Sequence, residues 1–287
     1  MRRPGLVLFG VLLGAWPGTA AGQGAMAKPS GVELFAGPDG SKQPQDLGVN
    51  AHMGLRLSAD WWRRRTAGGL GIQAGIGLNL SDAAVHVLDQ IGGPSRRTQL
   101  FVTAGVFQRR GRVSWSAAWD HLRQAYYDTS NLDQVRAQVG IGVSESDEIG
   151  GWVSAGVRGA DAVALDTPVR LDPIAQAVGY ARRTWPTGGE TTVWAGWAEG
   201  HDNVVLVFED DTRSAPVFVY GAGVHLPLDD RFAIVGAANF ITPAATGTVD
   251  AYLGVAFHPG GGARGGRASR PFFSVANNPA FPINLKR

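Results

Sequence analysis

The sequence predicts an all-β fold, a closed antiparallel up-and-down transmembrane β-barrel of about twelve strands, the count falling between roughly ten and twelve. Three observations carry that prediction: long stretches of strict apolar/polar alternation, no apolar run long enough for a spanning helix, and connections that alternate between long and short. Alternation is clearest from Gly48 to Ala59, Gly69 to Leu80, 134 to 144 and 248 to 258. In the first, Val49, Ala51, Met53, Leu55, Leu57 and Ala59 oppose Asn50, His52, Gly54, Arg56 and Ser58. Such runs match the roughly 9 to 11 residues of a tilted membrane strand, about twice an ordinary strand. An apolar face on every strand is costly in water and solvated by lipid, and in lipid only a closed sheet satisfies its backbone. The inverted arrangement, a lipocalin-like soluble barrel with apolar residues inside, shares the same alternation and differs only in which face is covered.

The N-terminus reads as a secretory signal over residues 1–22: Arg2 and Arg3, an apolar run from Leu6 to Trp16, then the small residues Gly18 to Gly22. The barrel is expected over 30–258. Its weaker strands are Val32 to Gly37, Gln99 to Arg109, Arg112 to Leu122, Ile149 to Arg158, Ile174 to Arg183, Thr191 to Glu199, Pro216 to Pro227 and Arg231 to Ile241. Arg110-Gly111 is expected as a two-residue hairpin that sets Val106 opposite Trp115 and Gln108 opposite Val113. The connections 38–47, 81–98, 123–132, 159–173, 200–215 and 242–247 are assigned outside the cell and the others to periplasmic turns, which puts both termini in the periplasm. Trp61, Trp62 and Trp185 then fall at periplasmic turns, where an interfacial aromatic girdle belongs. Residues 259–287 form a Gly/Arg linker followed by an apolar segment, Arg270 to Asn278. That segment could dock on the periplasmic rim, enter the lumen as a plug, or pair with another envelope component.

Composition supports export to a bacterial envelope. Among 287 residues there is no Cys, so disulfide frameworks and thiolate chemistry are excluded. Charged residues are 17%, against roughly 25% in soluble domains, while Gly numbers 41. Without Arg2 and Arg3 the chain balances 24 basic against 24 acidic residues, and residues 259–287 hold five basic residues and no acid. That pattern offers no nucleic-acid stripe. The expected partners are outer-membrane lipid and small polar solutes, with no nucleic acid and no cofactor.

Three stretches are similar to a family of exported β-barrel proteins from planctomycete genomes, described only as a domain of unknown function. They are Gly40-Ser41-Lys42-Gln43-Pro44-Gln45-Asp46-Leu47-Gly48-Val49-Asn50-Ala51, then Tyr126-Tyr127-Asp128 with Leu132-Asp133-Gln134-Val135-Arg136, then Arg270 to Asn278. The resemblance covers the chain from about residue 30 onward. It implies an outer-membrane-like location and no established activity, and it supplies no active-site residues.

Candidate site residues are therefore the polar members of the strands, which line the lumen if the apolar members face lipid: Asn50, His52, Arg56, Gln73, Asn79, Asp120, Gln134, Arg136, Asp250 and Tyr252, with Arg109, Gln138 and His258 beside them. Asp120 and Arg136 are placed for a cross-strand ion pair. Closure brings Asp250, Tyr252 and His52 to one side of a channel. No Gly-x-Ser-x-Gly elbow occurs, and the six His, at 52, 86, 121, 201, 225 and 258, lack metal-ligand spacing. Glu209-Asp210-Asp211 with Asp202 and Glu199 lacks the ligand spacing of a calcium loop and reads as a solvated loop. The glycines of Gly69 to Leu80 leave room in the lumen or let the tail approach. The expected role is a small-solute pore or a structural envelope component. A lipid-modifying barrel enzyme with a site at the external rim and a soluble periplasmic ligand-binding barrel are the alternatives.

Overall fold

The computed structural model describes residues 31–46, 50–62, 70–83, 96–164, 166–200, 216–242, 248–265 and 272–286. Residues 1–22, read above as a secretory signal, and the acidic loop 201–215 lie outside them, as do the side chains of His52, Trp61 and Trp62. Fifteen strands follow in order: β1 (Gly31–Lys42), β2 (Asn50–Trp62), β3 (Leu70–Ala83), β4 (Arg96–Arg110), β5 (Val113–Ala125), β6 (Thr129–Gly142), β7 (Asp147–Arg158), β8 (Ala160–Ala164), β9 (Thr167–Pro173), β10 (Gln176–Thr184), β11 (Glu190–Ala198), β12 (Val217–Pro227), β13 (Phe232–Ile241), β14 (Thr248–Phe257) and β15 (Ile283–Lys286). Twelve of them close an antiparallel barrel in sequence order, with β14 sealed onto β1, while β8, β9 and β15 form a separate three-stranded sheet. No helix among the described residues is long and apolar enough to cross a membrane.

The two faces of the wall are those that alternation predicts. Met53, Leu55, Ile72, Val139 and Leu253 keep 50–55% of their surface exposed, while the residues between them turn into the lumen. Asn79, Asp120, Gln134 and Asp250 on that inner face are almost completely covered. Apolar-out, polar-in is the arrangement lipid requires, and it replaces the lipocalin-like inversion.

Glycine lets the inner wall be thin where a ring lies across it. A Cβ on Gly71 would meet the Phe107 ring, one on Gly150 the Tyr180 ring, one on Gly221 the Trp194 indole and one on Gly254 the Phe35 ring. Each aromatic lies over a glycine of the adjacent strand, filling the space a side chain would have taken.

Call the rim where β1 begins and β14 ends the near rim, and the opposite one the far rim. The tail starts at the near rim, where Ala263 N–H donates to Asp230 O at 2.9 Å and Arg264 Nη2 to Leu228 O at 3.0 Å. From Phe272 it runs inside the barrel. It emerges at the far rim as β15, which pairs antiparallel with β9 from Ile283↔Pro173 to Lys286↔Arg170. The tail is thus a lumen plug with its last strand locked outside. A 3₁₀ turn, Asn278–Ala280, lies within it, N-capped by the Asn277 side chain. The linker is not free throughout, since residues 259–265 follow the turn 228–231.

Four local expectations change. The β4–β5 turn is Gly111-Arg112, so Gln108 faces Trp115 and Val106 faces Ala117. This shift of two preserves which side each residue faces, and Gly111 takes the positive φ of 60° that the tight turn needs. Second, β1 runs on to Lys42 through Pro38 rather than stopping at Gly37. Its ladder to β14 skips Gly37 and Pro38, where proline has no N–H to give, and resumes at Asp39↔Tyr252. Third, most of 123–132 is strand, leaving only Tyr126–Asp128 as a turn. Leu132 points inward against the polar-in rule, and a bulge at Asp133/Gln134 breaks the register, which masks the periodicity there. Fourth, the connection 159–173 contains β8 and β9, too short for a membrane crossing.

Candidate functional site

The lumen divides into a clasped half and an open half. On the β1–β6 side the predicted Gln73, Gln134 and Arg136, joined by Thr103, which sequence analysis did not single out, grip the tail backbone. Gln73 Oε1 accepts from Phe273 N–H at 2.8 Å, and Gln73 Nε2 donates to Phe273 O. The side-chain amide thus pairs with the tail as a strand would. Thr103 Oγ1 accepts from Ala276 N–H at 2.9 Å and donates to Asp120 Oδ1 at 2.7 Å. Asp120 is held by Arg136 through Nε at 2.6 Å and Nη2 at 2.9 Å, and by Gln134 at 3.0 Å. Gln134 also donates to Ala280 O at 2.8 Å, and Arg136 to Ser274 O at 3.3 Å. Sequence placed Asp120, Gln134 and Arg136 on one face; the structure makes them one network with the tail as its fourth side.

Apolar contacts complete the grip. Val275 sits where Cβ atoms on Gly75 and Gly77 would be. Phe281 packs on Phe101 within a buried cluster that joins Leu122, Leu132, Val169, Leu171, Ile283 and Leu285. At the near end Phe272 stacks on Phe107 with centroids 5.3 Å apart, and Arg109 lies 4.8 and 4.9 Å from the two rings.

The far mouth is closed by residues that sequence analysis left in a loop. Gln43 Nε2 donates to both oxygens of Asp250 at 3.2 Å and to Asn278 O at 3.4 Å, while its Oε1 accepts from Ile283 N–H at 3.1 Å. Gln45 accepts from Gln124 at 2.7 Å through its side chain, and its carbonyl oxygen accepts from the Tyr127 hydroxyl. Asp46 pairs with the fully covered Arg97, which also donates to Ser41 at 2.6 Å. Burial pushes the Asp46 carboxyl above its usual range against the pull of Arg97, and burial likewise raises the Tyr127 hydroxyl well above its ordinary value, keeping it a neutral donor. The three stretches that carried the family resemblance therefore converge on one joint. Asp250 is enclosed within it, away from lipid, and Asn50 lies in the same row of the wall through Ser41.

Asn79 donates to Asp39 Oδ2 at 3.1 Å. Arg56 stands over the rings of Phe35 and Tyr252, 3.7 and 4.1 Å from their centroids. Tyr252 and His52 share Asp39 of β1 as register partner, and Asp250 lies two residues from Tyr252 on β14, so the backbone brings the predicted trio of Asp250, Tyr252 and His52 to one region.

On the β7–β14 side the tail leaves a cavity of about 280 Å³, reaching from mid-lumen to the near rim. Its barrel walls include Trp152, Tyr180, Trp194 and Tyr252, and the tail supplies Phe272 and Phe273. At the near rim Arg182 pairs with Glu148 at 2.6 Å and Glu190 at 3.1 Å, and donates to Thr192 at 3.0 Å. Tyr180 donates to the same Glu148 at 2.7 Å and accepts from Gln138 at 3.0 Å. His258 lies 3.8 Å from Glu33, with the His225 ring 5.9 Å away. Towards the far rim Ile174, Val178, Val219 and Ile241 close the cavity with an apolar layer. Of these aromatic residues Tyr252 was singled out from sequence and Phe272 and Phe273 belong to the tail segment; Trp152, Tyr180 and Trp194 were not, because inward Trp and Tyr look like any other position of a strand. Among the described residues, no group of three His, Asp or Glu could hold a metal ion.

A family model described as a family of unknown function (DUF6666) matches residues 31–283. No curated protein matches the chain. Among solved structures, the chain is similar to the COG4313 outer membrane channel from Pseudomonas putida F1, with a TM-score of 0.57 and 11% identity over 83% of this chain and 100% of that one. It is similar to a membrane protein from work on in-meso crystallization, with a TM-score of 0.53 and 9% identity over 88% of this chain and 100% of that one. A KdgM porin in complex with oligogalacturonate gives a TM-score of 0.42 at 9% identity, covering 78% of this chain and 98% of that one. The likeness to the COG4313 channel shows a fold of outer-membrane barrel type.

Proposed function

The chain belongs to the DUF6666 family, whose function is unknown, and from that premise we propose that it is an exported outer-membrane barrel acting as a small-solute pore held shut by its own C-terminal tail. The observation that carries this reading is a polar lumen inside an apolar-outward closed barrel, with its plug gripped by hydrogen bonds from wall residues. Each polar clasp to a tail backbone group contributes only about 0.5–1.5 kcal/mol net, because water can take its place. The connections of the far rim, which include 159–175 and 199–216, are mostly longer than the near-rim turns 111–112, 143–146 and 228–231. This supports the far rim as external and the open cavity as periplasmic. The signal segment supports export, lipid is the partner of the outer face, and small polar solutes are the partners of the lumen.

The locked β15 favours a second reading, a closed structural element of the envelope. Planar bilayer recording separates the two, using the full chain and the full-chain triple variant Gln73→Ala/Thr103→Ala/Gln134→Ala. The pore reading expects little current from the parent and frequent openings from the variant. Silence from both, in protein whose heat-modifiable mobility proves a folded barrel, overturns the pore and leaves the structural role.

A further inference from the structure

We propose that the lumen cavity is a binding site for a single neutral sugar ring, and that the tail in its plugged position is one wall of that site. The inference deepens the pore reading by naming the solute class. Its starting point is the aromatic lining. Trp194 lies across Gly221 and Gly223 and Tyr180 across Gly140 and Gly150, so each ring rests against a wall without Cβ atoms and lines the cavity with its other side. Trp194 is fixed by Nε1 donating to Asn239 at 2.9 Å, and Tyr180 by Glu148. Two stacking surfaces are thus held in place before a ligand arrives, which lowers the ordering cost of binding.

Charge selects the ligand next. Arg136 is committed to Asp120, Arg182 to Glu148 and Glu190, and Glu33 faces His258 at 3.8 Å, so the charged side chains of the lining already have partners. A charged solute would lose water and find those partners taken. A neutral ring with apolar faces and hydroxyl edges suits what remains: Tyr180 and Trp194 side by side on the wall, Phe272 and Phe273 on the tail, and the Thr192 hydroxyl hydrogen and Gln138 amide oxygen at the edge. The volume of about 280 Å³ lies near the lower end of the roughly 300–1,000 Å³ of small-molecule sites, room for one sugar ring.

Finally, Phe272, Phe273 and Ser274 belong to the tail, so the site is whole only while the tail is in. A ligand that binds the plugged state better than the open one stabilises the plug by that difference. The sugar therefore holds the barrel shut.

The test is calorimetric titration of the full chain in detergent with methyl α-D-glucopyranoside, D-glucuronate, D-glucosamine and phenol. Saturable glucoside binding is expected, at least about tenfold tighter than either charged sugar and weakened about tenfold by Trp194→Ala. Trp115→Ala, on the lipid face, is the control that leaves binding unchanged. If Trp194→Ala does not fold, Thr192→Val takes its place, with severalfold weakening expected. Glucuronate binding as tightly as the glucoside, phenol binding where the glucoside does not, or no saturation in heat-modifiable protein each overturns the sugar site. Undiminished affinity in the full-chain variant Gln73→Ala/Thr103→Ala overturns the role of the tail. A barrel that conducts without binding glucoside loses this site and keeps the pore; one that binds glucoside and never conducts loses the pore and keeps the site.

Discussion

The two halves of the lumen are built from strands of the same kind and hold opposite contents. Between β1 and β6 the wall offers amides, hydroxyls and glycines at positions where a chain segment can lie, and the tail fills that space. Between β7 and β14 it offers large rings and a paired ion cluster, and a cavity remains. Outward, both halves present the same apolar band. Lipid reads only the outer face, so every strand carries that one constraint, while the inner face is free to specialise. A short polar side chain opposite a glycine makes a groove for backbone, and a ring over a glycine makes a flat surface for something that is not part of the chain.

The largest effect that would break the comparison comes from truncating equivalent rings. Phe281 is fully covered in the plug core, and Phe281→Ala should cost about 3–5 kcal/mol of unfolding stability. Trp194→Ala borders existing space that water can enter and should cost clearly less. Urea unfolding of both variants in one detergent checks this, and equal losses would mean that the open half is packed as tightly as the clasped one.

A smaller effect sharpens it. Gly75→Val drives a branched side chain into Val275 and should destabilise the plugged state by about 1–3 kcal/mol, whereas Gly179→Ala, with only Gly150 O at 3.8 Å near its new Cβ, should be near neutral. Protease sensitivity of the tail in folded barrels distinguishes them, with cleavage accelerated only in the first.

The smallest effect belongs to the near-rim turn on which the tail begins. Asp229 accepts N–H bonds from Arg231 and Phe232 at 2.7 Å, and those bonds hold its carboxyl below the ordinary 3.8. Its folded value being depressed, the contribution is fully present above that ordinary value and disappears as pH falls through the folded one. Amide exchange at Arg231 and Phe232 should therefore speed up only below about pH 4, and Asp229→Asn should abolish that dependence.

Much of the architecture was legible in residue order. Alternation put Leu55 and Arg56 on opposite faces, and the same period put Asp120 and Arg136 on one face of neighbouring strands. What stayed hidden has physical causes. Pro38 looked like the end of a strand, yet a barrel held by two neighbours tolerates a missing rung. Leu132 looked out of phase because its partners, Phe281 and Leu285, come from a segment about 150 residues away in sequence. Gln43, Gln45 and Asp46 looked like loop residues, and only closure brought Asp250, Tyr127 and Ile283 within their reach.

The sequence by itself determined the pattern of the wall: about ten to twelve long strands, each with one apolar and one polar face, and the closed antiparallel order that backbone amides need once the apolar face meets lipid. Only the tertiary structure decided the content of the lumen. A tail rich in small and apolar residues has several surfaces it could cover, and nothing local distinguishes them. The choice was made where glycine gaps, amide clasps and the free edge of β9 line up along one path, a coincidence of distant residues that exists only once the barrel has closed.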